Sequence, residues 1–127
     1  MRKTSNIKIG TYNCSVVFVV TSDLSKEITK VYNKHKVKDI EYKLEDIKDD
    51  NEGILMSPDI TKYYLMIDLE YLTHNTIAHE VYHTVVRITE DREVKDEEAQ
   101  AWLCGYITGA FYRFLEKKEL KVIHGNG

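Results

Sequence analysis

The pattern of hydrophobic and polar positions along the chain predicts three β-strands. Residues 14–20 are apolar and β-branched almost throughout, which is typical of a strand covered on both faces at the centre of a sheet. Residues 62–69 form the clearest strand by alternation, with odd-numbered side chains pointing to one face and even-numbered side chains to the other. Residues 54–56 begin a further strand, which Pro58 is expected to end.

The same pattern predicts three helices. Apolar residues recur at helical spacing over residues 23–35, directly after a Thr-Ser-Asp capping sequence. A second helix is predicted over residues 73–87, with Thr73 or Asn75 as its cap, and a third over residues 96–115. Each is long enough to pack one face against a sheet or another helix.

The remaining segments are expected to connect these elements. Residues 36–52 are rich in charge and predict a short strand with a solvated loop, and the charged residues 90–95 link the last two helices. The order is strand, helix, two or more strands, then two helices. The predicted fold class is therefore α+β, with a small mixed sheet, one helix packed on it and two helices after it.

Length and composition indicate a single domain over residues 1–127. Apolar residues make up 43% of the chain and charged residues 31%, with a net charge of −3 and both signs intermixed. This balance argues against nucleic acid as a partner, which normally requires a clustered basic surface, and gives no reason to expect membrane binding.

The cysteines and the N-terminal residues predict a cytoplasmic protein. Cys14 and Cys104 lie far apart and neither belongs to a C-x-x-C pair, so cysteine-rich zinc motifs are excluded. The first residues do not resemble a signal peptide, and the longest apolar run, residues 16–20, is too short to span a bilayer. We therefore expect free thiols, with Cys104 acting as a small buried apolar residue.

The candidate chemistry lies in the second predicted helix, where His79, Glu80 and His83 form an H-E-x-x-H motif. Histidines four positions apart project from the same face of a helix, so both imidazoles can reach one zinc ion. Glu80 follows the first histidine immediately, where it can act as general base on a zinc-activated water.

A short motif of this kind can also arise by chance on a solvated helix, and two observations favour a metal site. Val81, Tyr82, Thr84 and Val85, which surround the second histidine, are all uncharged. A stripe of apolar residues also lies roughly opposite the histidines and anchors the helix, namely Ile77, Val81, Val85 and Ile88. His74, just before the motif, is interpreted as a surface histidine near the cap.

Residues 76–85 resemble the extended zincin signature, and residues 96–102 are similar to the glutamate-alanine helix of ImmA/IrrE-like metallopeptidases and small phage zincins. The resemblance covers about residues 62–110. It implies a glutamate from the next helix as third zinc ligand, which would be Glu98. It also implies that the strand before the zinc helix, residues 62–69, is an edge strand that pairs with an extended substrate.

The pattern of the last helix gives modest support to Glu98. Glu98 shares one helical stripe with Ala101, Gly105 and Gly109, small residues that would allow a close approach to the zinc helix. Glu97, on a neighbouring stripe, is the alternative ligand. The residue that stabilises the oxyanion is left open among Tyr106, Tyr112 and His124.

The sequence therefore predicts a zinc-dependent hydrolase, and more narrowly a peptidase acting on a peptide or protein. Its metal ligands would be His79, His83 and Glu98, and its general base Glu80. One alternative is a binding or regulatory module that zinc stabilises without catalysis, and another is a metal-free protein with a coincidental motif. Imidazole and carboxylate ligands also accept cobalt, nickel or iron. The oligomeric state is left open.

Overall fold

The computed structural model describes residues 1–35 and 52–124 of the chain. Within them the fold is α+β, as predicted, and consists of a mixed sheet and three α-helices. The elements in chain order are β1 (Arg2–Ile9), β2 (Cys14–Thr21), α1 (Leu24–His35), β3 (Gly53–Asp59), β4 (Lys62–Asp68), α2 (His74–Asp91) and α3 (Glu97–Lys117). The strand predicted within residues 36–51 lies outside the described residues.

The strands lie in the order β1-β2-β4-β3. β2 and β4 are parallel to each other, and each pairs with an antiparallel neighbour on its other side. The prediction that β2 lies inside the sheet is confirmed. The prediction that residues 62–69 form an edge strand is wrong, because β4 is hydrogen-bonded on both sides. On that side β3 is the outermost strand among the described residues.

The sheet separates two hydrophobic clusters. Helix α1 covers one face, where Leu24, Ile28 and Val31 pack against residues of β2, β3 and β4. Helices α2 and α3 cover the other face, which contains the larger cluster and the edge-to-face pair of Phe18 and Phe111. The alternation of β4 is confirmed, because its odd-numbered and even-numbered side chains enter opposite clusters.

Strand β1 was not predicted from the sequence. Most of its side chains are exposed or half-buried, and only Ile9 is fully covered, so the strand carries little hydrophobic signal. It forms through eight consecutive residue pairs with β2. Pro58 does not end β3, which continues to Asp59 through an irregular register after Met56.

The cap of α2 is Thr73, one of the two predicted candidates, and α3 also begins at a capping side chain, for which no cap was predicted. The side chain of Thr73 accepts a hydrogen bond from the backbone N–H of Thr76, and Asp96 caps α3 in a similar way. Helix α2 runs to Asp91, one turn beyond the predicted end, because Ile88 and Thr89 are buried and extend its packed face.

The buried face of α3 differs from the prediction. The side chains that enter the core are Leu103, Ile107, Ala110, Phe111, Phe114 and Leu115. Gly105 lies on the opposite side, where a Cβ atom would meet nothing within 4 Å. The expectation that the stripe of small residues packs closely against α2 is therefore wrong. Cys104 is exposed rather than buried, and both cysteines are free, as expected.

Among the described residues, no helix is both long enough and apolar enough to cross a bilayer.

Candidate functional site

The two motif histidines lie side by side on the outer face of α2. The Nε2 atoms of His79 and His83 are 3.0 Å apart, and both side chains are exposed. One metal ion at the usual zinc–nitrogen distance of about 2.0–2.1 Å can therefore contact both nitrogens. Burial, and next the neighbouring His79, lower the pKa of His83, which favours the neutral imidazole that a metal requires.

The side chain of Glu80 lies on the side of α2 that faces β3 and is 5% exposed. A Cβ atom placed on Gly53 would come within 2.9 Å of the Cγ of Glu80 and 3.1 Å of its Oε2. A glycine at this position therefore allows the carboxyl group to lie directly against the backbone of the strand. The face of α2 opposite the histidines is anchored in the core by Ile77, Val81 and Ile88, so Glu80 is held by a packed helix.

The surroundings of Glu80 favour its protonated form. Burial of the carboxyl group, and secondly the nearby charge of Glu52, raise the pKa of Glu80 to about 7 in the metal-free protein. Glu52 also accepts a long hydrogen bond of 3.5 Å from the hydroxyl of Thr76. A carboxyl group with a pKa near neutrality can both accept and return a proton at physiological pH.

His79, Glu80 and His83 line one cavity of about 400 Å³ between α2 and β3. Gly53, Ile54 and Leu55 form the strand side of this groove. The helix side is formed by the three motif residues and, further along α2, by Val86, Arg87 and Glu90. β3 is the outer strand of the described sheet, where it pairs with β4, and it lies beside the histidines.

The predicted third ligand does not join the histidines in this structure. Glu98 is exposed on α3, and its backbone N–H donates to the capping side chain of Asp96. Glu97 lines a separate hollow between α2 and α3, beside Tyr82 and Val86. Across the described ranges, no three His, Cys, Asp or Glu side chains are grouped closely enough to hold a metal ion. Two imidazoles are in place, and the third ligand stays a prediction.

The candidate oxyanion residues lie outside the groove. Tyr112 is hydrogen-bonded to Nδ1 of His74 at 2.6 Å, and the ring of His124 lies 5.8 Å from that of His74. The hydroxyl of Tyr106 donates to the backbone carbonyl of Lys8. His74 is exposed, in agreement with its interpretation as a surface histidine near the cap.

Sequence reasoning missed the strand side of the groove. The strand was predicted to begin at residue 54, whereas Gly53 already begins β3 and lies against Glu80. Glu52 and Arg87 had no motif to mark them. The sequence did contain a signal for the strand order, because residues 62–69 are apolar on both faces. Such a strand is expected inside a sheet, with a further strand beside it.

Comparisons of the chain with models of known protein families, with curated proteins and with solved structures find no match in any of the three. The resemblance of residues 76–85 to the zincin signature therefore stays a prediction from the motif.

Proposed function

We propose that this protein is a zinc-dependent peptidase in which His79 and His83 bind the metal and Glu80 is the general base. The observation that carries the proposal is the meeting of three features in one groove. These are paired imidazole nitrogens 3.0 Å apart, a buried carboxyl group on the same helix and strand β3 on the facing side of the groove. A metal-dependent hydrolase of peptides needs ligands for the metal, a general base and a surface that holds the substrate beside them.

The two histidines and Glu80 would have separate roles in hydrolysis. A zinc ion bound by His79 and His83 would lower the pKa of a water molecule to about 7 and polarise the scissile carbonyl group. Glu80 would accept a proton from the attacking water and pass it to the nitrogen of the leaving amine. The raised pKa of Glu80 in the metal-free protein indicates that its surroundings disfavour an isolated negative charge. A nearby cation would offset this effect.

The groove between α2 and β3 would orient the substrate. A concave site of about 400 Å³ can bury a short extended segment of a peptide. Such a peptide would pass Gly53 and therefore lie beside Glu80 and the paired histidines. The substrate class that fits this groove is an unfolded or flexible segment of a peptide or protein.

The test is the zinc content of the purified protein, compared between the wild type and two histidine variants. We expect about one zinc per chain in the wild type and a large loss in His79→Ala, because one of two paired ligands is removed. His74→Ala is the matched control, since His74 is an exposed histidine of the same helix outside the groove. It should retain the metal and cleave a peptide library as the wild type does.

A wild-type protein without zinc after zinc is restored would contradict the proposal. Zinc that binds tightly without any peptide cleavage would favour the alternative, a zinc-stabilised binding or regulatory module. In that case the coordination should be saturated by protein ligands, since structural zinc sites have no open position. X-ray absorption of the zinc-loaded protein distinguishes a saturated site from one with an open position.

The third ligand can be identified with a second pair of variants. Glu98→Gln should weaken zinc binding by about 10–100-fold or more if Glu98 completes the site, whereas Glu97→Gln should then leave it unchanged. The reverse result would assign Glu97, which faces the hollow beside α2. Competition with a metal chelator measures both affinities. Equal and unaltered affinities would exclude both glutamates as ligands.

A further inference from the structure

The outward side of α3 is unlike the surface of the rest of the chain. Fourteen consecutive residues, 99–112, contain no charged side chain, although charged residues make up 31% of the sequence. A helix that is uncharged around its whole circumference is normally covered on every side. The inward side packs in the core, whereas Trp102 is 52% exposed and Tyr106 39% exposed.

This outer face of α3, defined by Glu98, Ala101, Trp102, Gly105, Tyr106, Gly109 and Arg113, has an ordered arrangement. Trp102 stacks on Tyr106 with ring centroids 5.3 Å apart. Beside them, a Cβ atom on Gly105 would meet nothing within 4 Å, whereas one on Gly109 would lie 3.2 Å from the Nη1 atom of Arg113. The exposed surface therefore has an open position at Gly105, next to two large aromatic groups, and the guanidinium group of Arg113 covers Gly109.

The charges at the two ends of this face have opposite sign. Glu98 lies at the start of the uncharged segment and Arg113 at its end. Both are exposed. The ion pairs formed among the described residues involve only Glu27, so Glu98 and Arg113 are unpaired within that part of the chain. The midpoint between them falls between Gly105 and Tyr106.

We propose that the outer face of α3 is the contact surface of a homodimer, in which two copies of the helix pack antiparallel about a twofold axis near Gly105. Such an axis places Glu98 of one copy opposite Arg113 of the other, Trp102 opposite Gly109 and Tyr106 opposite Gly105. Every pair occurs twice, as an isologous interface requires. Gly105 allows the helices to approach closely, and Tyr106 of each copy fills the open position at Gly105 of the other.

The test measures mass in solution by sedimentation equilibrium over a wide range of protein concentration, in buffer with a chelator so that zinc binding plays no part. The wild type should approach twice the chain mass of 14.9 kDa as concentration rises. Gly105→Arg should raise the dissociation constant at least about a hundredfold, because a long charged side chain enters the axis of the interface. Arginine is a better helix former than glycine, so the fold should be retained.

A charge exchange provides the second, independent variant. Arg113→Glu alone should weaken the dimer by placing two like charges opposite each other. Combining it with Glu98→Arg should restore association, because the pair is then reversed but complementary. Asn33→Arg, an exposed substitution on α1 across the sheet, is the control and should dimerise as the wild type does.

A wild type that is monomeric at all concentrations would overturn the proposal. So would a dimer that Gly105→Arg leaves intact, since association would then use another surface. Failure of the double charge exchange to restore association would exclude the antiparallel arrangement. The outcomes for the wild type and for Gly105→Arg do not bear on the zinc site, because His79, Glu80, His83 and both candidate third ligands are unaltered there. The double variant changes Glu98, one of those candidates, and is therefore measured for association in chelator only.

Discussion

Replacing Glu80 by glutamine is expected to reduce peptide hydrolysis by about a thousandfold or more while zinc remains bound. The amide has nearly the shape of the carboxyl group but cannot accept the proton of the attacking water. The two imidazole nitrogens that bind the metal, 3.0 Å apart on the outer face of the helix, are unaltered. Turnover of a peptide substrate and the zinc content of the same preparation are the two measurements.

Glu70→Gln is the matched control for this substitution. Glu70 is exposed and lies outside the groove residues, so its amide variant should hydrolyse peptides at the wild-type rate. Full activity of Glu80→Gln would exclude Glu80 as the general base. Loss of zinc together with activity would mean that Glu80 acts on the metal site itself, and the mechanism proposed for it would then be wrong.

The parts of the fold that were predicted correctly depend on local signals. Helix α2 has a capping threonine at its start and an apolar stripe at helical spacing, and both are local in sequence. Strand β2 is apolar on both faces, and this requires an internal position in a sheet. Strand β1 was missed because its formation depends on pairing with β2, and six of its eight residues are polar or charged.

The orientation of α3 shows where hydrophobic pattern is insufficient. Both sides of the helix are apolar over residues 99–112, so periodicity alone does not determine which side enters the core. Small residues were expected to face α2, yet the larger side chains of Leu103, Ile107 and Phe111 fill the core. Burying them removes more apolar surface from water than burying alanine and glycine would.

The candidate site was predicted only where it lies on one helix. His79, Glu80 and His83 are brought together by the spacing of a single element, which sequence specifies directly. Glu52 and Gly53, at the start of β3, lie close to Glu80 although they precede it by more than twenty residues in the chain. Such a contact depends on strand order, and the order was misjudged when β4 was taken for the edge. The raised pKa of Glu80 follows from this long-range contact and from burial.

The buried position of the Glu80 carboxyl group therefore decreases the free energy of unfolding. A carboxyl group buried beside a second carboxylate is ionised in the folded state only at a cost in free energy, and nothing in the core requires it there. Proteins keep such groups where they serve a reaction, and removing them commonly increases stability while activity is lost. The same substitution should thus have opposite effects on turnover and on the free energy of unfolding.

The metal-free protein is expected to lose stability as pH rises from about 4.5 to about 7, through Glu80. In this range the unfolded chain releases the proton, whereas the folded protein, with a pKa of about 7, retains it. Because the folded state then binds more protons, its free energy of unfolding falls as pH rises. The contribution is fully present below pH about 4.5 and lost above about 7, and the pKa change corresponds to about 3 kcal/mol.

Urea unfolding of the wild type and of Glu80→Gln, in chelator at a series of pH values, isolates this contribution. Other groups titrate in both proteins, among them His83, whose lowered pKa acts in the opposite direction, and their effects cancel in the difference. That difference should favour the glutamine variant increasingly from pH 5 to 8. Saturating zinc should diminish it in the proposed metal site, because a cation beside Glu80 stabilises the carboxylate. A difference independent of pH would mean that Glu80 is ionised at no cost in the fold.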